Sequence, residues 1–120
     1  MTVEFIGEKI FLQEVEADGK VWVARGEHQN IYALELDESG YSLPVWSDRE
    51  RVVEYLHNAR LVLAKFEPYP VPLDLFTQAW LSNQMMEISE LLVNMDGVHD
   101  RTLVLTIEEF VASQDPKKVH

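Results

Sequence analysis

The run "YSLPVWSDRERVVEYL" (41–56) constrains this chain most, because its hydrophobic period changes in mid-stretch. Through Trp46 it reads as a strand; from Ser47 onward, apolar residues recur at helical spacing. Val52, Val53, Leu56 and Ala59 fall on one face, and Arg49, Arg51, Glu54 and Asn58 point elsewhere. Ser47 and Glu50 have the S-x-x-E spacing of a capping box, in which each side chain satisfies an orphan amide at the helix start. Pro44 has no amide to give a ladder, which predicts an edge strand or a bulge near the strand's end. Trp46 is expected to cover the junction and lie on the aliphatic stem of Arg51. A sheet must therefore sit directly beside a helix.

The rest of the chain fits that demand. Residues 4–17 predict a helix with Phe5, Leu12 and Val15 on one side, closed by Asp18-Gly19. "KVWVAR" (20–25), "NIYALEL" (30–36) and "YSLPVW" (41–46) read as three strands of a meander, with "DESG" (37–40) as a turn. "RLVLAKFE" (60–67) predicts a further strand. Prolines 68, 70 and 72 then predict a stiff surface link that ends the ladder. Pro72 opens a helix in which Leu75, Phe76, Ala79 and Trp80 share a face. Met85, Ile88 and Leu92 continue at helical spacing after a break at Ser82-Asn83. "LLVNM" (91–95) and "TLVLT" (102–106) form a hairpin around "DGVHDR". Thr106 and Glu109 repeat the capping box, stapled by Leu105 and Phe110, before a last helix over 107–114.

These elements predict a single α+β domain over 1–114, with a frayed tail at 115–120. One mostly antiparallel sheet of about six strands would carry about four helices. At 120 residues and 47% hydrophobic, the chain can bury a core without staples. It has no cysteine, so disulfides, thiolate metal sites and thiol nucleophiles are excluded. The N-terminus shows no basic leader, and no apolar run approaches membrane-spanning length, so a soluble, cytoplasmic protein is expected.

Charge narrows the partners. The net charge is −11, spread as −6 over residues 1–46, −3 over 47–90 and −2 over 91–120. Nucleic-acid binding depends on Lys and Arg neutralising phosphates, and Lys117-Lys118 is the one basic cluster. Nucleic acid and anionic membranes are thus poor partners, whereas a basic protein is a possible one. The sequence does not define an oligomeric state; residues 41–46 are the strand on which a symmetry mate could pair, discouraged by Pro44.

Chemical motifs are absent for physical reasons. Glycines 7, 19, 26, 40 and 97 are too scattered for a phosphate cradle, and no G-x-S-x-G elbow exists. His28 lies in a polar turn, and His57 ends the central helix, where a cation suits the dipole. Asp96, His99 and Asp100 are the one local set of ligand atoms, without the spacing of a calcium loop. Acid pairs such as Glu35/Asp37 and Glu108/Glu109 are expected by chance in so acidic a chain. No catalytic residue, metal site or cofactor is assigned. Binding remains, and Trp46, Ser47, Tyr69 and Trp80 are its candidate surface: an apolar patch ringed by acids, beside a helix start.

"LPVWSDRERVVEYL", then "VPLDLFTQAWL" and the ending "LVN...LVLTIEEF", resemble the small bacterial family called domain of unknown function 2750. Leu43, Pro44, Val45 and Trp46 before one helix, and Leu75, Phe76 and Trp80 in the next, carry the likeness over roughly residues 5 to 113. After Trp80, "SNQMMEISEL" is more polar and Met-rich than that family's usual continuation. A second, smaller likeness is to the N-terminal domain of the SseB family, which also turns from a Leu-Pro-Val-aromatic-Ser strand into a helix. Both resemblances imply the α+β fold and no particular activity. Three functions remain in view: a non-catalytic interaction module, an immunity-type inhibitor of a basic toxin, and a small-ligand or anion binder at Ser47.

Overall fold

A computed structural model describes residues 3–36, 40–60, 65–81, 87–98 and 102–113. Helix α1 (Val3–Asp18) ends where Gly19, at φ 72°, donates its amide to the Val15 carbonyl at 2.8 Å. Strand β1 (Lys20–Arg25) follows, then a short 3-10 turn, β2 (Leu34–Leu36) and β3 (Gly40–Val45). Helix α2 (Arg49–Asn58) leads to β4 (Glu67–Pro72), and α3 (Leu73–Leu75) runs into a π-helical turn (Phe76–Trp80). Strands β5 (Ile88–Val93) and β6 (Leu103–Thr106) precede α4 (Ile107–Ser113).

The α+β class holds, but the strands form two sheets rather than one: β1-β4, and β2-β3-β5-β6. Pairs β1-β4, β2-β3 and β5-β6 are antiparallel, while β3 and β5 run parallel at the centre. Among the described residues, the sheets are tied where Trp22 and Trp46 exchange both backbone hydrogen bonds at 2.9 Å.

Backbone direction explains the prolines. Along a strand, successive amides point to opposite edges. Tyr41 donates to Glu87 O on the β5 side, and Trp46 donates to Trp22 O on the other side, so odd amides of β3 face β5. On the even side, Ser42 meets Leu34 of β2 and Trp46 meets Trp22 of β1. Pro44 falls in the gap between those two neighbours, where no donor is required. Strand β3 is therefore internal, not the edge that Pro44 suggested and not a free surface for a symmetry mate. The register irregularity lies at Tyr41/Ser42.

The same parity overturns the expected Pro-rich link. Leu73 donates to Gly19 O at 2.9 Å, so odd-numbered amides face β1. Pro68, Pro70 and Pro72 lie at alternate positions, opposite Ala24, Trp22 and Lys20, and their missing amides all face away from β1. Three prolines in register thus leave the ladder intact on an edge strand. Of the strand expected over 60–67, the described part keeps only Glu67, the first residue of β4: Arg60 (φ 59°) and Lys65 (φ 62°) are left-handed turn residues, and 61–64 lie outside the described residues.

The other departures have local causes. Ile88 and Leu92 belong to β5, not to a helix, because a four-residue spacing satisfies both a helical turn and two strand repeats. Met85, the Ser82-Asn83 break, most of the 37–40 turn, His99, Asp100, and the tail with Lys117 and Lys118 lie outside the described residues, as does the Phe5 side chain. Leu75 is 47% exposed although Phe76 is buried, since the chain widens there into the π turn. On α2 the buried residues are Val52, Tyr55 and Leu56, and Val53 is turned outward.

The described residues form two apolar clusters. In the larger, Phe11 from α1, Phe76 and Phe110 cover Leu43, Val45, Leu91, Val93 and Leu105 on one sheet face. The Phe76 and Phe110 rings meet edge-to-face at 5.5 Å. The second gathers Trp46, Val52, Tyr55, Leu56 and Ala24 under α2. No described helix is long and apolar enough to cross a membrane.

Gly40 anchors the entry to β3. At φ 107°, a Cβ there would stand 2.3 Å from Glu87 O, the carbonyl that accepts from Tyr41. Gly19 is also left-handed, with nothing within 4 Å of its Cβ position. Gly19→Ala is therefore expected to cost only backbone strain, about 1–2 kcal/mol. Gly40→Ala should cost more, because the β3–β5 pair must also spread. Urea unfolding of both variants checks the order; equal losses would contradict it.

Candidate functional site

The polar residues converge where β3 and β5 end side by side. Trp46 and Ser47 leave β3, Asn94 leaves β5, and α1 and α2 pass the same corner. Trp46 is 0% exposed, and its indole Nε1–H donates to Met95 O at 2.7 Å. Ser47 is 1% exposed. Its backbone amide donates to Asn94 Oδ1 at 2.9 Å, while its hydroxyl donates to the Glu14 carboxylate. Asn94 sits at φ 50°, and its Nδ2 approaches Ser47 Oγ at 3.2 Å. Asparagine suits that left-handed position better than most side chains.

Ser47 does not cap α2. The N-cap is Asp48, whose carboxylate accepts from the Arg51 amide at 2.8 Å. Aspartate one residue further on occupies the cap, leaving the serine hydroxyl to bind α1. The Arg51 guanidinium lies 3.4 Å from Glu14 and 3.5 Å from Asp48, joining both helices by charge. An anion at this helix start would meet the Asp48 carboxylate instead of free amides. Chemically, the corner is a hydrogen-bonded weld between α1, α2, β3 and β5. The second capping box does form: Thr106 donates to Glu109 Oε1, and Glu109 donates to Thr106 Oγ1, each at 3.0 Å.

The four expected binding residues do not assemble into one patch. Trp46 stacks inside the second cluster, its ring 5.2 Å from Tyr55. Tyr69 and Trp80 are half-buried against the first cluster. Arg25 lies over the Tyr69 ring at 4.0 Å, and Trp80 meets Phe76 at 5.9 Å. Nearby, Tyr32 and Tyr55 share a hydroxyl hydrogen bond of 2.9 Å, and burial with that bond pushes the Tyr55 phenol well above its ordinary value. Sequence reasoning missed Glu14 and Asn94, which stand 33 and 47 residues from Ser47 in the chain. No local spacing links residues so far apart. Among the described residues, no group of three or more His, Asp or Glu could hold a metal.

The fold and this corner define an α+β scaffold whose strand-to-helix junction binds its own helices. A family model described as "Protein of unknown function (DUF2750)" matches residues 9–113, nearly the whole chain. The chain belongs to that family. No curated protein matches it.

Two measurements follow from the corner and the cap. Trp46→Phe strips the part-buried Met95 carbonyl of its donor, whereas the buried Trp22 Nε1 atom has no partner among the described residues, so Trp22→Phe sheds an orphan. Both lose ring volume, but Trp46→Phe is expected to cost about 1–3 kcal/mol more by chemical denaturation. Equal costs would deny the Met95 bond its role.

Glu109 is held below the usual carboxylate range by the Thr106 backbone amide, then by the Thr106 hydroxyl bond. A depressed folded pKa means that its stabilisation is present above the unfolded value, about 4.3, and is lost as pH falls through the folded one. Glu109→Gln should therefore flatten the acid limb of a stability–pH profile below about pH 4. An unchanged slope would contradict the assignment.

Proposed function

We propose that the chain is a non-catalytic interaction module that binds a basic protein partner along the side formed by α1 and α4. The observation that carries this reading is the lining of that side. Glu8 of α1 and Glu108 and Glu109 of α4 border one shallow groove with Ala112 and Ser113. Glu8 also borders a second shallow groove along α1 with Lys9, Leu12, Gln13 and Glu16, where Lys9 is the one base among the described lining residues. With a net charge of −11, such a side attracts a cationic surface and speeds its approach.

The use of Trp46 and Ser47 in the interior also supports the reading. It moves the candidate surface away from the Trp46, Ser47, Tyr69 and Trp80 set. The small-ligand alternative loses its support at Ser47, because Asp48 fills the helix start. An immunity-type inhibitor of a basic toxin is a special case of the same acidic interface.

Charge steering has a measurable signature. Partner capture on the immobilised chain should fall steeply between about 50 mM and 500 mM salt, as the screening length shrinks. A Glu8→Lys/Glu108→Lys variant should lose capture even at the lower salt. Equal recovery at both salts and from both proteins would contradict the reading.

A further inference from the structure

The acidic side adjoins a sheet edge that is open to another strand. Strand β6 ends the order β2-β3-β5-β6, and among the described residues nothing pairs with its outer side. Its register places Glu90 opposite Thr106, Leu91 opposite Leu105, Leu92 opposite Val104 and Val93 opposite Leu103. Asn94 donates to Val45 O in β3, so even amides leaving β5 face β3, and those of Leu91 and Val93 face β6. Leu103 and Leu105 complete that ladder. The amides and carbonyls of Val104 and Thr106 consequently point outward.

A second contact reaches the same result. The outward Thr106 amide is taken by the Glu109 carboxylate at 3.0 Å, so a negative charge stands at the end of the open edge. Val104, one repeat earlier, keeps its outward amide and exposes 43% of its surface. Elsewhere, β4 presents the proline-blocked side of its ribbon, and β2 is only three residues long. Edges left open in this way are templates for strand addition.

We propose that β6 accepts an extended segment of the basic partner as an added strand. The Val104 amide and carbonyl supply the ladder, and Glu8, Glu108 and Glu109 receive Lys or Arg side chains of the incoming strand. This rests on the interaction reading above and names its geometry. A second copy of this chain is a worse fit for the edge, since each copy carries a charge of −11 and would bring carboxylates to carboxylates.

The probe is an alternating Lys-Val peptide of about eight residues, the length of an ordinary strand. A matched peptide is N-methylated at alternate residues, on the amides that would face β6, and a third is methylated on the opposite set. Backbone NMR of the full chain reads amide shifts and hydrogen exchange. The Val104 amide is expected to gain at least about tenfold protection with the first and third peptides and none with the second. Val104→Pro, which removes one outward donor, should weaken binding several-fold.

Salt-sensitive binding that ignores both the methylation pattern and Val104→Pro would overturn strand addition while leaving the acidic interface standing. Binding that survives high salt and Glu8→Lys/Glu108→Lys, yet follows the methylation pattern, would uphold strand addition and overturn charge recognition. Protection of Val104 that rises with protein concentration alone would assign the edge to a second copy and overturn the proposal.

Discussion

Each residue in a β-strand offers its amide to one edge only, and this fold depends on that restriction. Four of the five prolines lie inside strands, each with its missing donor on a side where no described strand residue waits. In β4 the outer edge absorbs three of them. In β3 the even side has two successive neighbours, and Pro44 occupies the gap between them. Because that gap exists, the β1-β4 ribbon can join the larger sheet through Trp22 and Trp46 while β2 keeps its own place. The parallel β3–β5 pair then carries the core on one face and the polar corner at its carboxyl ends.

The corner shows how buried polar groups can be spent on architecture. Carboxyl ends of parallel strands beside a helix start are a common location for ligands. Here the donors and acceptors are used internally. Trp46 bonds the β5 exit, Ser47 bonds both α1 and Asn94, and Arg51 bridges Glu14 and Asp48. The serine is 1% exposed, and its hydroxyl and amide are held by the Glu14 carboxylate and the Asn94 side chain. Its interactions tie α1 to the ends of β3 and β5.

Much of this was legible in the sequence, and the failures share a cause. The strand runs 20–25 and 41–46, the Gly19 stop and the Thr106/Glu109 box were readable because each is decided within a few residues. The sequence cannot choose between Ser47 and Asp48 because both are good caps, and only the distant Glu14 and Asn94 settle which one turns inward. Taken singly, prolines 68, 70 and 72 predict a break. Their common parity, visible in the spacing, was the signal that permits an edge strand. Ile88 and Leu92 fitted two periods at once, and the choice fell to burial between β3 and β6. The same holds for Trp46, which reads as a ligand platform because its partners, Tyr55 and Met95, are joined to it only by the fold.

The central claim is that the signature-like residues at the strand-to-helix corner are interior scaffold. Hydrogen exchange at the Trp46 indole Nε1–H tests it most directly. The account predicts exchange as slow as the slowest backbone amides of β3 and β5, governed by global opening and indifferent to added phosphate or sulfate. Exchange at the rate of an exposed indole, or a resonance that moves as those anions are titrated in, would contradict it.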